Sequence, residues 1–419
     1  MGLAQEIRSR HRLEVLWATY RAGAISRAEL SRRLGLTKPS ISAIVGDLLA
    51  SGLLRENGRG QVGPRGGRAP VFLEVDPRAR VALGIDVRRD KLTVILADLR
   101  GALVARAVEP ASPEVSAEAV VDQVVRVCRT VLRRTRTPRS RLLGVGIGTI
   151  GPVDAAEGVV RQPLHFARGA DIPFRARLEA AFGVPVVVDV GSNAAAFGEM
   201  TLGAARDRHS LVYITLGYGI GSGIVLNGHI HRSLASFGLG HTSVDPDGPA
   251  CSCGNRGCLE LYAATDAVAS RIRQHVQQPG ADPPLPDGAD GDAIYAWLAG
   301  QIRQGDESAA ALVGDLAARI FVAIRNLVNL IGPELLVIGS SHPHLVDLVF
   351  PALAEHIAAL NACQPHRRQL EVRPASLKEN SIALGAAMMV IHRFLRGADG
   401  IAVGDEGPRQ ADHAGRPYQ

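Results

Sequence analysis

The spacing of apolar residues predicts two helices at the start of the chain. Between residues 5 and 22, apolar side chains recur near helical spacing, at Ile7, Leu13, Leu16, Trp17 and Tyr20. The run Ser26-Arg27-Ala28-Glu29 has the form of a capping box, which begins a second helix. That helix places Leu30 and Leu34 inward and ends at Gly35. The pattern therefore predicts two helices joined by a short connection.

A third helix follows the turn through Gly35. Thr37 is its predicted N-cap, and Pro39 is tolerated in its first turn. Its apolar stripe consists of Ile41, Ile44, Val45 and Leu48. The other side carries Lys38, Ser40, Ser42 and Ala43. Two helices joined by a tight turn, with small polar residues at the start of the second, form a helix-turn-helix whose second helix enters the major groove.

Two further strands are predicted at Leu53–Glu56 and Val71–Val75, with a glycine-rich ribbon between them at residues 57–70. Arg59, Arg65 and Arg68 lie on this ribbon. A narrow minor groove attracts arginine because its negative potential is enhanced. A flexible linker with incidental arginines is the alternative for the ribbon taken alone. Beside the helices, the ribbon is typical of a winged helix-turn-helix, whose partner is double-stranded DNA.

The following segment predicts an α/β body. Strands are expected at Val81–Asp86, Leu92–Asp98, Leu103–Val108 and Leu142–Ile150, with a helix over Val120–Leu132 before the last of them. Hairpin, third strand, helix and strand in this order open the actin-like ATPase fold. Residues 277–292, rich in Pro, Gly and Asp, predict a surface loop, and residues after about Gly397 predict a disordered tail.

The charge distribution separates the two parts of the chain. The net charge is +6, and residues 1–80 carry 14 Lys/Arg against 7 Asp/Glu, so the remainder is near neutral. A basic N-terminal segment on a near-neutral body indicates a polyanion bound by that segment, although a solvated basic face is the alternative. No run of about 18 uninterrupted apolar residues and no secretory signal are found, so we expect no membrane span and a cytoplasmic location.

One cysteine cluster has the spacing of a metal site. The sequence His-x9-Cys-x-Cys-x4-Cys consists of His241, Cys251, Cys253 and Cys258. Three thiolates and one imidazole suit tetrahedral zinc, and in a reducing cytosol such a cluster favours a metal over disulfides. Four protein ligands leave no open position, so we expect a structural zinc, with metal sensing as the alternative. Cys128 and Cys363 are expected to be buried thiols.

Several motifs resemble the ROK family (repressors, open reading frames, kinases). They are Ser26-Arg27-Ala28-Glu29-Leu30, Leu36-Thr37-Lys38-Pro39-Ser40, Gly66-Gly67-Arg68, the segment 217–223 and the cysteine cluster, whose ligand pattern the family's zinc site shares. The resemblance implies a winged helix-turn-helix at 1–78 and an actin-like, RNase H-like ROK body of two α/β subdomains. We assign 79–190 plus 380–396 to the smaller subdomain, 191–379 to the larger one with the zinc and an oligomerisation surface, and 397–419 to the tail. The candidate DNA contacts are Ser26, Arg27, Thr37, Lys38, Ser40, Ser42, Arg59, Arg65 and Arg68.

The residues that a ROK sugar kinase needs are largely absent. The family's Glu-Asn-Asp motif, whose Asp is the general base, aligns with Asp189, Val190 and Gly191, and glycine cannot accept a proton. Asp189 could move toward the vacancy but lies two residues upstream. A sugar-binding Glu is replaced by Gly238, and Val87-Arg88-Arg89-Asp90 replaces the glycines of the first phosphate loop, where the arginines could compensate in charge. We therefore assign no catalytic residue.

The resemblance leaves Asn193, His241 and Glu260 as candidate effector contacts. Glu260 fits equally well as a structural carboxylate at a helix start. The leading hypothesis is a transcriptional regulator, and more specifically a repressor, that acts as a dimer or tetramer and whose body binds a small effector, a sugar or another metabolite. A bifunctional sugar kinase and an effector-independent regulator, whose body serves oligomerisation or protein docking, are the alternatives.

Overall fold

The structure, a computed structural model, describes residues 3–60, 69–112, 115–163, 170–232, 238–276, 289–340, 342–363 and 369–397. The N-terminal part, residues 3–78, is called the head. In chain order its elements are α1 Leu3–Ala22, β1 Ile25–Ser26, α2 Arg27–Leu34, α3 Lys38–Ala50, β2 Leu54–Arg59 and β3 Val71–Val75. Strand β3 lies between β1 and β2 and pairs antiparallel with both. Strand β1 was not predicted from the sequence.

The caps expected in the head are present. The Ser26 hydroxyl accepts a hydrogen bond from the Glu29 N–H (3.2 Å), and the Thr37 hydroxyl accepts one from the Ser40 N–H (3.3 Å). Gly35 ends α2 with a φ of 67°, the left-handed conformation in which glycine is unstrained. These local signals fix where α2 ends and where α3 begins.

One residue of the apolar pattern in the head is exposed, and one expectation for the head is wrong. Ile7 is 39% exposed, because the buried face of α1 begins further along the chain, at Val15. Residues 57–59, expected in the ribbon, belong to β2. The strand continues past an irregularity after Glu56 and pairs Arg59 with Val71.

A five-stranded sheet forms the first half of the body. Its segment of the chain contains β4 Val81–Val87, β5 Lys91–Asp98, β6 Leu103–Pro110, α4 Ala117–Arg134, β7 Leu142–Thr149, β8 Val153–Asp154, β9 Val159–Val160, α5 Phe174–Phe182 and β10 Val186–Val190. The strand order is β10-β7-β4-β5-β6, with β4, β7 and β10 parallel to one another. Helices α4 and α5 share a core with one face of the sheet. The carboxyl ends of the parallel strands therefore meet at one edge, where ligands bind in such sheets.

A second five-stranded sheet follows. Its segment contains α6 Gly191–Thr201, β11 Leu211–Leu216, β12 Gly221–Leu226, β13 His229–His231, α7 Glu260–Ala263, α8 Thr265–Val276, α9 Gly291–Arg303, α10 Glu307–Ile331, β14 Leu335–Ser340, α11 Pro343–Cys363, β15 Glu371–Pro374 and α12 Ser381–Arg396. The strand order is β13-β12-β11-β14-β15. The domain boundaries given above remain predictions.

Helices α6 and α12 cross between the sheets, and α12 joins the body to the head. They approach so closely that a Cβ at Gly385 would lie 1.7 Å from the Ala194 carbonyl oxygen. Helix α12 also packs on β4 and β7, whereas α6 packs on β11 and β12. Helix α1 of the head packs against α12, so one apolar core runs from the head through both helices.

One helix in the described part, His344–Cys363, is long and apolar enough to cross a membrane by length and composition. Its residues Leu345, Val349, Leu353 and Ile357 are buried. They recur at helical spacing and share the second sheet's core, which is the arrangement of an amphipathic core helix.

The structure also bears on the predicted loop at 277–292, the predicted tail and the two cysteines outside the cluster. Gly291 and Asp292, expected in a loop, begin α9, and the Asp290 side chain caps this helix by accepting a hydrogen bond from the Ala293 N–H (2.8 Å). Residues 277–288 and 398–419, like Arg65 and Arg68, lie outside the described residues. Cys128 is buried as expected, whereas Cys363 is exposed because it ends the last turn of α11.

Candidate functional site

The first turns of α3 present the polar surface expected of a recognition helix. Lys38, Ser40 and Ser42 are exposed, whereas Ile41 on the same turns is fully buried. The Thr37 and Ser40 hydroxyls lie 2.9 Å apart and share a hydrogen bond. The buried side of α3 thus anchors the helix while its amino end remains open to a phosphate or a base edge.

The other candidate DNA contacts differ in whether their side chains already interact with other residues of the head. The Ser26 hydroxyl caps α2, and the Arg27 guanidinium lies 3.4 Å from a Glu56 carboxylate oxygen. Arg59 is exposed at the end of β2, next to the ribbon. Ser26 therefore stabilises the start of α2, while Arg27 and Arg59 lie at the surface of the head.

The His241, Cys251, Cys253 and Cys258 side chains come together as a four-ligand cluster. One ligand atom from each lies within 4.8 Å of all the others. The Cys251 Sγ to His241 Nδ1 distance and the Cys253 Sγ to Cys258 Sγ distance are both 3.6 Å. Zinc–sulfur bonds of about 2.3 Å in a tetrahedron place ligand atoms about 3.7 Å apart, so the donor set fits zinc.

A glycine makes the tight turn of this cluster possible. Gly257 has a φ of 58°, and a Cβ there would lie 1.6 Å from the Asp245 carbonyl oxygen. Any other residue would push the chain away from this contact. Gly257 therefore holds the neighbouring Cys258 beside the other ligands.

The imidazole of His241 also lies beside the start of α7. Its Nε2 lies 3.7 Å from Glu260 Oε1, while Glu260 Oε2 accepts a hydrogen bond from the Ile220 N–H (3.0 Å). Glu260 begins α7, so the structural role considered for it is present. Since Ile220 belongs to the glycine-rich turn between β11 and β12, the metal cluster and this turn are held together through one carboxylate.

Asp189 does not move to the position of the missing base. It is 1% exposed, and its Oδ2 accepts hydrogen bonds from Nε (2.9 Å) and Nη2 (2.7 Å) of Arg232. Its Oδ1 accepts a third bond from the Asn193 amide (2.8 Å). Sequence reasoning missed Arg232, since no motif connects it with a residue 43 positions away. Asp189 is thus oriented by Asn193 on one side and by Arg232 on the other.

The position of the family's general base is occupied by Gly191, which lies beside Ile382 and Thr149. A Cβ there would meet the Ile382 Cδ1 at 3.2 Å and the Thr149 carbonyl oxygen at 3.5 Å. At Gly238 a Cβ would be 3.9 Å from its nearest neighbour among the described residues, the Ser222 nitrogen. A Cβ at Gly191 would therefore require a small shift of the Ile382 side chain, whereas one at Gly238 would make only ordinary van der Waals contact with the described residues.

The two turns that would hold nucleotide phosphates are joined by an arginine. The Arg89 guanidinium lies 4.8 Å from the Tyr218 ring centroid and donates to both Asp266 carboxylate oxygens, at 2.7 and 3.4 Å. Arg88 is buried, with its Nε 3.3 Å from Asp86. Burial raises the pKa of Asp86 to about 6, against the opposing effect of Arg88. The charges of both arginines are therefore directed to carboxylates rather than to a phosphate.

The glycines of the second turn have a packing role. A Cβ at Gly223 would lie 2.0 Å from the Ser192 carbonyl oxygen, and the Ser192 hydroxyl donates to the Ser222 carbonyl (3.0 Å). The glycine-rich segment thus lets β12 approach the start of α6. A phosphate is not required to explain it.

A capped helix-turn-helix with an adjoining strand ribbon defines a winged-helix DNA-binding protein, here joined to a kinase-like body of two sheets. The model of the ROK family matches residues 82–393, and that of the MarR family matches residues 9–61. The chain belongs to the ROK family. With its MarR-type head it is a DNA-binding regulator, as the sequence predicted.

Known relatives confirm this arrangement. The xylose repressor of Bacillus spizizenii is 30% identical over 382 residues, covering 88% of this chain and 92% of the repressor. A solved ROK family transcriptional regulator, described as a homologue of the Escherichia coli MLC protein, has a TM-score of 0.77 and 23% identity and covers 94% of this chain and 99% of its own. A ROK family glucokinase from Streptomyces griseus has a TM-score of 0.63 and 26% identity and covers 74% of this chain and 98% of its own. The fold is thus a winged helix-turn-helix followed by a sugar-kinase-like α/β body.

Proposed function

We propose that this protein is a transcriptional repressor whose ROK body binds a small effector, a sugar or another metabolite, without phosphorylating it. The observation that carries this proposal is the state of the base position: Gly191 holds no proton acceptor, and Asp189 is bound by Arg232 and Asn193. A hydroxyl in the cleft has no carboxylate base at that place. The similarity to the xylose repressor supports a sugar as the effector.

The route from the cleft to the head runs along α6 and α12. Helix α6 begins at the cleft with Gly191 and Asn193, and two turns later Phe197 meets the buried His392 of α12. His392 in turn contacts Trp17 and Tyr20 of α1, with ring centroids 5.1 and 5.8 Å apart. An effector that shifts the start of α6 in one of two states would change how the head is held.

The end of α6 is fixed to the start of α12 by a buried carboxylate. Glu199 is 0% exposed and accepts hydrogen bonds from the Ser381 hydroxyl (2.9 Å), the Leu377 N–H (3.0 Å) and the Ser376 N–H (3.2 Å). With its hydrogen bonds satisfied, such a carboxylate makes the two helix ends one rigid unit. Movement of α6 is thereby passed to α12 rather than absorbed between them.

The cluster of His241 and three cysteines acts as a structural zinc site. Zinc there would hold the His241 segment beside Glu260 and the turn at Ile220. His241 and Glu260 thereby shape the effector cleft as well as the metal centre. The protein acts in the cytoplasm as a dimer or tetramer, because a two-fold DNA site requires two heads.

Two assays test the proposal. ATP consumption with a panel of sugars is expected to stay at background, and Gly191→Asp alone is not expected to restore it, because Gly238 still lacks its carboxylate and Arg89 remains between the phosphate turns. A thermal-shift screen of sugars, sugar phosphates and unrelated metabolites is expected to find a ligand that raises the Tm. Turnover by the unmodified protein would establish the kinase alternative, and a screen without hits would favour an effector-independent regulator.

A further inference from the structure

A dense group of arginines lies on the body, outside every site described so far. Between residues 126 and 141 the chain has seven arginines and no aspartate or glutamate. We call this group the arginine belt; it consists of Arg126, Arg129, Arg133, Arg134, Arg136, Arg139 and Arg141. Since the body as a whole is near neutral, the rest of it is acidic and the positive charge is local.

The belt lies at the end of the first sheet that faces the head rather than the cleft. Helix α4 ends at Arg134 and β7 begins at Leu142, so the belt surrounds the amino end of β7. The parallel strand β4 begins at the same edge, directly after the head. The Arg141 guanidinium donates a hydrogen bond to the Arg78 carbonyl, which joins the belt to the segment leading from the head.

Most of the positive charge in the belt faces solvent. Arg129, Arg133, Arg134, Arg136 and Arg139 are exposed. Within the described ranges none of these five forms an ion pair, whereas Arg126 pairs with Glu109 at 2.7 Å. Three of them, Arg129, Arg133 and Arg139, border an open groove of about 620 Å³. The guanidinium groups are therefore available to a polyanion.

Arg136 adopts a backbone conformation that favours glycine. Its φ is 50°, and it follows α4 with the hydrogen bonds of a Schellman motif: its own N–H to Arg133 O (3.1 Å) and the Thr137 N–H to Leu132 O (3.0 Å). Helix-end electrostatics account for Arg133 and Arg134 in the last turn of α4. They do not account for an arginine in a left-handed conformation beyond the helix.

We propose that the arginine belt is a second DNA-contacting surface, which binds phosphates beside the segment that the head engages. This inference rests on the DNA-binding function of the head. Arginine suits the role because its planar guanidinium donates two hydrogen bonds to one phosphate. The belt does not recognise a DNA sequence. It adds affinity for DNA, and salt dependence of that affinity, at any site that the head binds.

The test compares long and short DNA. Fluorescence anisotropy with a random-sequence duplex of about 60 base pairs and one of about 15 is measured over a range of salt concentrations for the full chain. The variant Arg129→Ala/Arg133→Ala/Arg139→Ala is expected to reduce the salt slope on the long duplex by about 0.9 for each phosphate that the belt no longer neutralises, with a smaller change on the short one. The matched control is Arg273→Ala/Arg303→Ala/Arg325→Ala, which removes three exposed arginines elsewhere. Equal slopes for the two triple variants on the long duplex would overturn the proposal.

Arg136→Gly separates a DNA contact from a structural role. Glycine relieves the left-handed strain, so the Tm is expected to stay the same or rise, yet the slope on the long duplex is expected to fall by about 0.9. An unchanged slope would contradict a role of Arg136 in the belt. Lys38→Ala in the head is expected to weaken binding to both duplexes, so a failure of head binding and a failure of belt binding are distinguishable.

Discussion

Phe197 of α6 and His392 of α12 meet edge to face, with ring centroids 5.1 Å apart. His392 is buried, and neither of its ring nitrogens has a hydrogen-bond partner among the described residues. The same imidazole meets Trp17 of the head. A neutral imidazole thus fills the place where the cleft helix, the last helix and the head converge.

His392 makes the stability of the protein depend on pH. Burial, with a smaller contribution from Arg396, lowers the pKa of His392 to about 3, whereas in the unfolded chain it is near 6.5. As the pH falls, the unfolded state therefore binds the proton first. Stability is lost as the pH decreases from about 6.5 to about 3. This loss amounts to about 1.4 kcal/mol per pH unit.

His392→Phe keeps an aromatic ring but cannot bind the proton. Denaturant unfolding between pH 7 and 4 is expected to show a shallower loss of stability for the variant than for the wild type, because other titrating groups are common to both. Phe321 and His356 stack in a half-buried part of the second half, so His356→Phe is the matched control for replacing an imidazole with a phenyl ring. Parallel pH profiles for wild type and His392→Phe would show that His392 is protonated in the folded protein.

The ion pair of Asp189 and Arg232 is expected to stabilise the cleft measurably. Arg232→Ala leaves a carboxylate that is 1% exposed without its guanidinium partner. Because the arginine itself is 40% exposed, water partly replaces it, and we expect a loss of about 1–3 kcal/mol in the free energy of unfolding. Adding Asp189→Asn to this variant is expected to recover part of the loss. Arg161→Ala, which breaks exposed pairs with Asp154 and Asp171, is the control and is expected to cost less stability than Arg232→Ala. Equal losses for both arginines would mean that the Asp189 carboxylate is solvated.

Metal removal is expected to loosen the cleft wall. Purified protein should contain about one zinc per chain by elemental analysis, and chelation should lower the Tm because the metal binds the folded state. Cys253→Ser should lose the metal, whereas Cys363→Ser, at an exposed thiol outside the cluster, should retain it. Metal-free protein from zinc-replete cells would refute the zinc assignment.

The sequence predicted those features whose determinants are local. Thr37 and Ser40 are three residues apart, and the four metal ligands fall within 18 residues, so the recognition helix and the cysteine cluster could both be predicted. Gly191 was identified as an absence in a motif. By contrast, Arg232 pairs with Asp189 across 43 residues, and Arg89 pairs with Asp266 across 177. Such contacts depend on how the two sheets meet, which no local pattern encodes. The belt was missed because the near-neutral charge of the body concealed it.

The partners of Arg89 were not predictable from the sequence. From sequence alone, two arginines in a phosphate turn could substitute for glycines by attracting a triphosphate. In the structure the Arg89 guanidinium is held by Asp266 and the Tyr218 ring. The interaction instead holds the first sheet against the second without a nucleotide.

We expect the cleft to bind an effector that alters DNA binding without catalysis. The most direct measurement is the affinity of the full chain for DNA from upstream of its own gene, with and without the ligand found by thermal shift, and with no ATP present. We expect a change in Kd of at least about fivefold, the size that coupling between two sites typically gives. A Kd that no Tm-raising ligand alters, or that changes only when ATP is supplied and consumed, would contradict it.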